Sequence, residues 1–574
     1  MGMINIIIDG QKTAVSEGTT ILQAATELGI KIPTLCHHPD QAVKANCRIC
    51  VVEVDGYGTL VPSCAFPVFE GMNVKTHSPK VRSARMHLLE LILARHAQDC
   101  LHCKRSGHCE LQTVCEDMHF VKTPRYPYVA RSNEIDDSSP SIVRTESKCI
   151  ACGRCEYACT KVQTVDAIAK ANRGFHVKYA PSYGRPLVQS TCVNCGQCAQ
   201  ACPTGALTSN DNTDRVWGAL GKKLVVAQVA PSVRINIAEA LGEAPGTISP
   251  GRLVTAMKRV GFDLVFDTDF SADLTIMEEG TELLGRIKNG GVLPMITSCS
   301  PGWIKFCETF YPDFIPNLST CKSPQGMFGA LIKTYYADKI GKAPEDIFSV
   351  SVMPCTAKKF EAIRPELGRD GYSDIDVVVT VQELSRMIRA AGIDFKNLPE
   401  TEFDKPFGLG SGAGEIFGAT GGVMEAALRT VYEVVTGETL ANVEFEAVRG
   451  FDGIKEATVS IGGTDVKVAI AHGLGNARKL MDALRSGEAS YHFIEIMACP
   501  GGCIGGGGNP IKDWKKMDAR LEAVYRHDKE LPLRKSHENP AIKAIYEEFL
   551  GEPNGHKSHE LLHTYYTDRS NLLK

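Results

Sequence analysis

The sequence predicts a multidomain α/β protein in which small cysteine-built modules precede one larger domain with parallel strands. Three observations carry that prediction. The chain has 574 residues, enough for several domains and a sizeable buried core. Its 22 cysteines crowd mostly into Cys-x2-Cys spacings before residue 203. From about Asn210 the composition changes, and largely apolar runs alternate with helical patterns.

The totals exclude several classes. A net charge of −4 leaves no basic footprint for nucleic acid. No apolar run approaches the roughly 20 residues that span a bilayer, no secretory signal opens the chain, and Met1-Gly2-Met3-Ile4-Asn5-Ile6 lacks the Ser or Thr of a myristoylation signal. The expected location is the cytoplasm. There the paired cysteines favour metal over disulfides, and iron–sulfur clusters account for the spacings better than zinc does.

The first module is expected over 1–80. Ile4, Ile6 and Ile8 alternate as in a strand, Asp9-Gly10 signals a tight turn, and Thr19-Thr20 opens a helix. Cys47 and Cys50 form a two-residue pinch flanked by Cys36 and Cys64, and four thiolates suit a [2Fe–2S] cluster. The spacing resembles the β-grasp [2Fe–2S] ferredoxin-like domain of hydrogenases and of the large iron–sulfur subunit of respiratory complex I. The second module, 81–125, begins with a helical pattern over 81–93 and delivers His96, Cys100, Cys103 and Cys109. His-x3-Cys-x2-Cys-x5-Cys resembles the His-Cys [4Fe–4S] helical module of the same two families. His102 and His108 fall inside the cysteine run and match nothing in that pattern. Cys115 belongs to no set and reads as a small buried hydrophobe.

A polar connection containing Pro124, Pro127 and Asp136-Asp137-Ser138-Ser139-Pro140 leads into an internal repeat within 126–209. Cys149, Cys152, Cys155 and Cys159 are echoed by Cys192, Cys195, Cys198 and Cys202. This is the run of a two-cluster bacterial ferredoxin-like domain, whose fourth Cys serves the other cluster. It assigns Cys149, Cys152, Cys155 and Cys202 to one [4Fe–4S] cluster, and Cys192, Cys195, Cys198 and Cys159 to the next.

In 210–574, strand-like runs are expected over 224–230, 348–353, 375–381 and 493–497, with helices over 250–257, 382–391, 421–434 and 476–486. Ligands in such folds gather beyond the strand C-termini, where Cys355 and Cys499 fall. The stretch Glu495-Ile496-Met497-Ala498-Cys499-Pro500-Gly501-Gly502-Cys503 runs into four glycines, too costly for a helix interior but suited to close backbone approach. With Met353-Pro354-Cys355-Thr356-Ala357-Lys358 and Thr297-Ser298-Cys299-Ser300-Pro301, it resembles the three signature motifs of the [FeFe]-hydrogenase catalytic domain.

That resemblance implies a two-lobed α/β hydrogenase domain holding an H-cluster, a [4Fe–4S] cubane joined to a diiron unit with CO, cyanide and azadithiolate. It adds one [2Fe–2S] and three accessory [4Fe–4S] clusters. Cys355, Cys499 and Cys503 match cubane ligands, with Cys503 in the bridging position. Cys299 matches the proton-passing thiol, and Glu279, Ser319 and Glu282 match the path outward. Lys358 matches the cyanide-binding lysine; Ser232, Pro231, Gln325, Met353 and Met497 match the diiron pocket. The family's fourth cubane ligand is a Cys where this chain has Ser300. Either Ser300 or a water completes the cubane, or the loop shifts and Cys299 becomes the ligand.

The implied activity is reversible H2 oxidation, with electrons relayed to ferredoxin or to flavin- and NAD(P)-binding partner subunits, since no GxGxxG follows a strand. Dedicated hydrogenase maturation proteins are implied as well. The alternative is an H2-sensing or electron-relay protein of weak activity.

Overall fold

A computed structural model describes residues 2–121, 125–129 and 132–573; Pro124 of the connection lies outside the described residues. The chain divides into two compact units. One holds 1–161, 166–188 and 198–208; the other holds 162–165, 189–197 and 209–574.

In the first unit, strand Met3–Ile8 turns at Asp9 and Gly10, both at positive φ, into Gln11–Ser16. Met3–Ile8 then pairs in parallel with Asn73–Lys75, and Val51–Val54 and Val61–Pro62 complete a five-stranded β-grasp sheet. Helix Ile21–Glu27 packs Ile21, Leu22, Ala24 and Ala25 against it, started by a capping box between Thr20 and Gln23. Helix Pro79–Leu93 follows, capped by Ser78, and buries Val81, Leu89 and Leu93.

The second unit carries two four-stranded sheets. The first runs Leu264–Asp267, Leu224–Val229, Ile347–Met353, Val377–Thr380, all parallel. Its strands are buried on both faces, which is why they read as unbroken apolar runs. The second runs Met295–Ile296, Phe493–Met497, Thr464–His472, Ile454–Ile461; the last pairs antiparallel and forms the edge. Each sheet has its own apolar core, and each fully buried Val, Ile or Leu contributes about 1.5–3 kcal/mol. The apolar run expected over 375–381 is strand only over Val377–Thr380, and it ends there because buried Thr380 is the cap of helix Val381–Ala390 in a capping box with Glu383. Helix Thr268–Asn289 bears Glu278, Glu279 and Glu282 and stops at Gly290 in the left-handed region. No helix among the described residues is long and apolar enough to cross a membrane.

Candidate metal centres and a buried cage

In the first unit the Cys36, Cys47, Cys50 and Cys64 thiols meet in pairs. The Cys50 and Cys64 sulfurs are 3.4 Å apart, and the Cys47 N–H donates to Cys36 Sγ over 3.5 Å. Hydrogen bonding within each pair holds Cys36 and Cys50 below the usual thiol range and pushes Cys47 and Cys64 above it. One thiol in each pair is thus predisposed to ionise, as a metal ligand must.

His96 is buried, and its Nδ1 lies 3.1 Å from the Lys148 carbonyl oxygen. Burial lowers its pKa to about 4, so the ring is neutral, and an Nδ1–H donated to that carbonyl leaves Nε2 unprotonated. His102, by contrast, is exposed and sits 2.8 Å from Asp99. Cys115 packs partly buried beside Leu111 and Val114, and burial raises its thiol to about 11. Cys149, Cys152, Cys155 and Cys202 line one cavity, the set assigned from the repeat. Of the other set, Cys159 and Cys198 belong to the first unit and Cys192 and Cys195 to the second.

The second unit contains an apolar cavity at the C-terminal ends of strands from both sheets. Ile347–Met353 delivers Cys355, Phe493–Met497 delivers Cys499 and Cys503, Met295–Ile296 leads to Cys299 and Ser300, and Leu224–Val229 ends at Pro231 and Ser232. Gln325, Met353, Met497 and Lys358 also line it, and Lys358 is the one charged side chain among the lining residues. Glu279, Ser319 and Glu282 do not line it; they continue from it along helix Thr268–Asn289 and the segment beside that helix.

The glycine run has a steric cause. A Cβ on Gly506 would lie 2.4 Å from the Pro354 carbonyl oxygen, and Gly502 has φ +87 with the Thr420 nitrogen 2.6 Å from any Cβ. Burial raises the Cys299, Cys355 and Cys499 thiols and brings Cys503 to about 12. Four thiols that resist ionisation alone suit a cage whose cations arrive with a cofactor. Two orphaned polar atoms test that fit. Ser232 Oγ and Gln325 Oε1 are buried on the cavity wall without a hydrogen-bond partner. A polar group inside the cavity would satisfy both, so the residues fit a cluster with small polar ligands.

Several residues behind the cavity wall support it. Lys358 Nζ is held by Glu361 at 2.9 Å and Ser323 at 2.6 Å. Gln163 donates to the Ala498 carbonyl at 2.9 Å and accepts from the Leu474 N–H at 2.8 Å. His472 Nδ1 accepts from the Gly501 N–H at 3.0 Å. Glu495 is fully buried and caps helix Gly422–Thr436, accepting from the N–H groups of Gly421 and Met424 at 2.7 and 2.8 Å. Glu495, Glu361 and Ser323 lie in or beside the motif stretches, and for Glu495 a buried acid on an apolar strand was the signal that could have found it.

Converging thiols in an apolar cavity, with thiol sets elsewhere in the chain, define an iron–sulfur oxidoreductase. Residues 223–507 match the model for the iron only hydrogenase large subunit, C-terminal domain, and 514–569 match the iron hydrogenase small subunit. Residues 2–79 match a 2Fe-2S iron-sulfur cluster binding domain, 85–123 the NADH-ubiquinone oxidoreductase-G iron-sulfur binding region, and 135–206 a 4Fe-4S dicluster domain. The chain is 50% identical to the NADP-reducing hydrogenase subunit HndD of Solidesulfovibrio fructosivorans, over 100% of both chains. It is 42% identical to iron hydrogenase 1 of Clostridium pasteurianum, over 98% of this chain and 100% of that one. A solved variant of the [FeFe]-hydrogenase HydA1 from Chlamydomonas reinhardtii superposes with TM-score 0.58 at 46% identity, covering 62% of this chain and 99% of that one. The chain belongs to the iron-only hydrogenase family. It is an oxidoreductase acting on H2, a catalytic subunit with iron–sulfur domains ahead of its H-cluster domain.

Proposed function

We propose that Cys355, Cys499 and Cys503 hold the cubane of the H-cluster, that Ser300 stands at its fourth position, and that Cys299 heads a proton route. The observation that carries this is the convergence of Cys355, Cys499, Cys503 and Ser300 on one buried cavity with a single charged side chain. When bound, the cluster supplies the redox chemistry that interconverts H2 with protons and electrons. The protein's share is to hold it, exclude water and move the proton.

Ser300 Oγ accepts from the Ala498 N–H at 3.2 Å, which sets it beside Cys499 at the head of helix Pro301–Phe310. Cys299 packs against the apolar core of the second sheet, and after burial the Glu279 carboxylate is the leading charge on it. Its thiol therefore stays protonated until a base takes the proton. Glu279 is fully buried and burial lifts it to about 7, near the working range of a proton carrier. Ser319 hydrogen-bonds Glu279 and donates to Glu282 Oε2 at 2.9 Å; Glu282 Oε1 meets Arg286 at 2.6 Å at the partly exposed end. Lys358, fixed by Glu361 and Ser323, presents the cavity's cation to an anionic ligand. Ser232 and Gln325 supply polar contacts, and Pro231, Met353 and Met497 supply apolar wall.

The thiol sets of the first 209 residues relay electrons as one [2Fe–2S] and three [4Fe–4S] clusters, His96 completing one of them. Flavin- and NAD(P)-binding partner subunits in the cytoplasm exchange those electrons, with ferredoxin a further carrier. HndD, by its name an NADP-reducing hydrogenase subunit, supports that reading. Ser300, a harder ligand than thiolate, favours a second reading as an H2 sensor of weak turnover. Maturation with hydrogenase assembly proteins, followed by H2 assay with reduced viologen, separates the two. The enzyme reading expects sustained turnover with viologen and none with NAD(P)H until partner subunits are added. H2-driven reduction of NAD+ or NADP+ by the chain alone would remove the partner proposal.

A further inference from the structure

Beyond the cage, at the outer end of the proposed proton route, three side chains from distant parts of the second unit converge. Glu282 comes from helix Thr268–Asn289, Cys321 from the segment before helix Pro324–Leu331, and His563 from the end of helix His556–Leu562. One donor atom of each lies within 4.8 Å of the other two. The arrangement is braced by backbone. Cys321 and His563 form an antiparallel bridge, with Lys322 N–H donating to the Leu562 carbonyl and Thr564 N–H to the Thr320 carbonyl, each over 2.7 Å.

We propose that Glu282, Cys321 and His563 form a binding site for a borderline divalent cation, Zn2+, which shuts the proton route when occupied. The donors are one sulfur, one nitrogen and one oxygen, the mixture zinc favours over hard cations. The 3.6 Å between Cys321 Sγ and Glu282 Oε2 is close to the edge of a zinc tetrahedron, about 3.5 Å. His563 Nδ1 lies 2.7 Å from Thr320 Oγ1, a contact that fixes the ring. Glu278 Oε2, 3.2 Å from His563 Nε2, adds buried negative charge to balance a dication. Arg286 occupies Glu282 Oε1 and leaves Oε2 facing the site.

Entry comes from the surface, where exposed His559 stacks on His563 at 4.4 Å between ring centroids. Binding replaces the Cys321 S–H bond by a Zn–S bond and releases that proton to solvent, with no change of oxidation state. Affinity therefore rises about tenfold per pH unit below the thiol's own pKa. The inhibitory half rests on the reading of Glu282 as the proton exit, because zinc on Oε2 occupies the oxygen that Ser319 addresses.

The test uses the matured holoprotein, given Zn2+ anaerobically, washed, and measured for zinc content, zinc K-edge absorption and viologen-linked H2 turnover. We expect one zinc per chain with a single sulfur at about 2.3 Å and N/O donors at about 2.0 Å. Turnover should fall at least tenfold. Cys321→Ser should lose the sulfur shell and His563→Gln should weaken binding at least tenfold, both retaining full iron content and losing less than half their turnover to zinc. A four-sulfur shell, or binding that survives both substitutions, overturns the site and leaves the proton reading intact. Zinc seated in the mixed shell with turnover undiminished overturns the inhibitory role, and the reading of Glu282 as proton exit falls with it.

Discussion

In the first unit Leu101, between Cys100 and Cys103, is 97% exposed, whereas in the cage Cys299, Cys355, Cys499 and Cys503 look onto an apolar cavity with one charged side chain. Cations thread the first region. Arg85 reaches the Val51 carbonyl beside Cys50, Arg105 donates to the Cys202 carbonyl at 2.6 Å, and buried Arg154 pairs with Glu110 near Cys36 and Cys152. In the cage, Lys358 is already paired with Glu361. The same ligand chemistry thus sits in two environments. A relay centre gains and loses charge, so cations and water nearby limit its cost. A reaction centre that must keep water out does so with apolar wall, and tolerates thiols that ionise only against a metal.

Breaking the cage should have the largest effect. Cys503→Ala should lower viologen-linked turnover to background and remove the diiron CO and cyanide infrared bands, because the bridging ligand proposed for the cubane is lost. Cys299→Ala should also stop turnover, yet leave those bands in place. Loss of the bands there would make Cys299 a ligand and Ser300 a bystander.

Next is Glu279. Glu279→Gln should cost about 10²–10⁴ in turnover, the usual weight of a proton-transfer group. With Glu279 lifted to about 7, the native protein should lose proton-reducing activity as pH rises through about 7, because the carrier no longer arrives protonated. H2 oxidation should gain over the same range, because a carboxylate is then available to accept. The stability sign agrees. A carboxyl raised in the folded state contributes fully below its unfolded value near 4.5, and about 3 kcal/mol of that contribution is lost between there and about pH 7. Denaturant titrations of Glu279→Gln should lack that slope; a slope unchanged from native would place the burial cost elsewhere.

A smaller effect is expected at Glu495, which holds the cage from behind. Glu495→Gln keeps the shape but turns an amide NH2 toward one of the two N–H groups, of Gly421 or Met424, and leaves it without an acceptor, costing about 1–3 kcal/mol in urea melts. The smallest lies in the relay. His96→Cys should retain its cluster and lower its potential in an EPR titration, since thiolate carries more negative charge than neutral imidazole, with turnover little changed. An unshifted potential would remove His96 from the ligand set.

The sequence alone determined what is local. Cys-x2-Cys loops, the two-cluster repeat, the Asp9-Gly10 hairpin and the apolar strand before Cys499 each depend on residues a few positions apart, so spacing and side-chain type suffice to read them. Where the strand run over 375–381 ended was less legible, because Thr380 reads as strand by propensity and serves as a helix cap. Tertiary structure decided what meets across long separations. Gln163 under Ala498, His472 under Gly501, Ser323 on Lys358, and Glu282, Cys321 and His563 in one cluster follow no periodicity. Folding pays the entropy of bringing such segments together through the apolar cores of two sheets, and those cores, not the polar residues themselves, dictate which polar groups end up side by side.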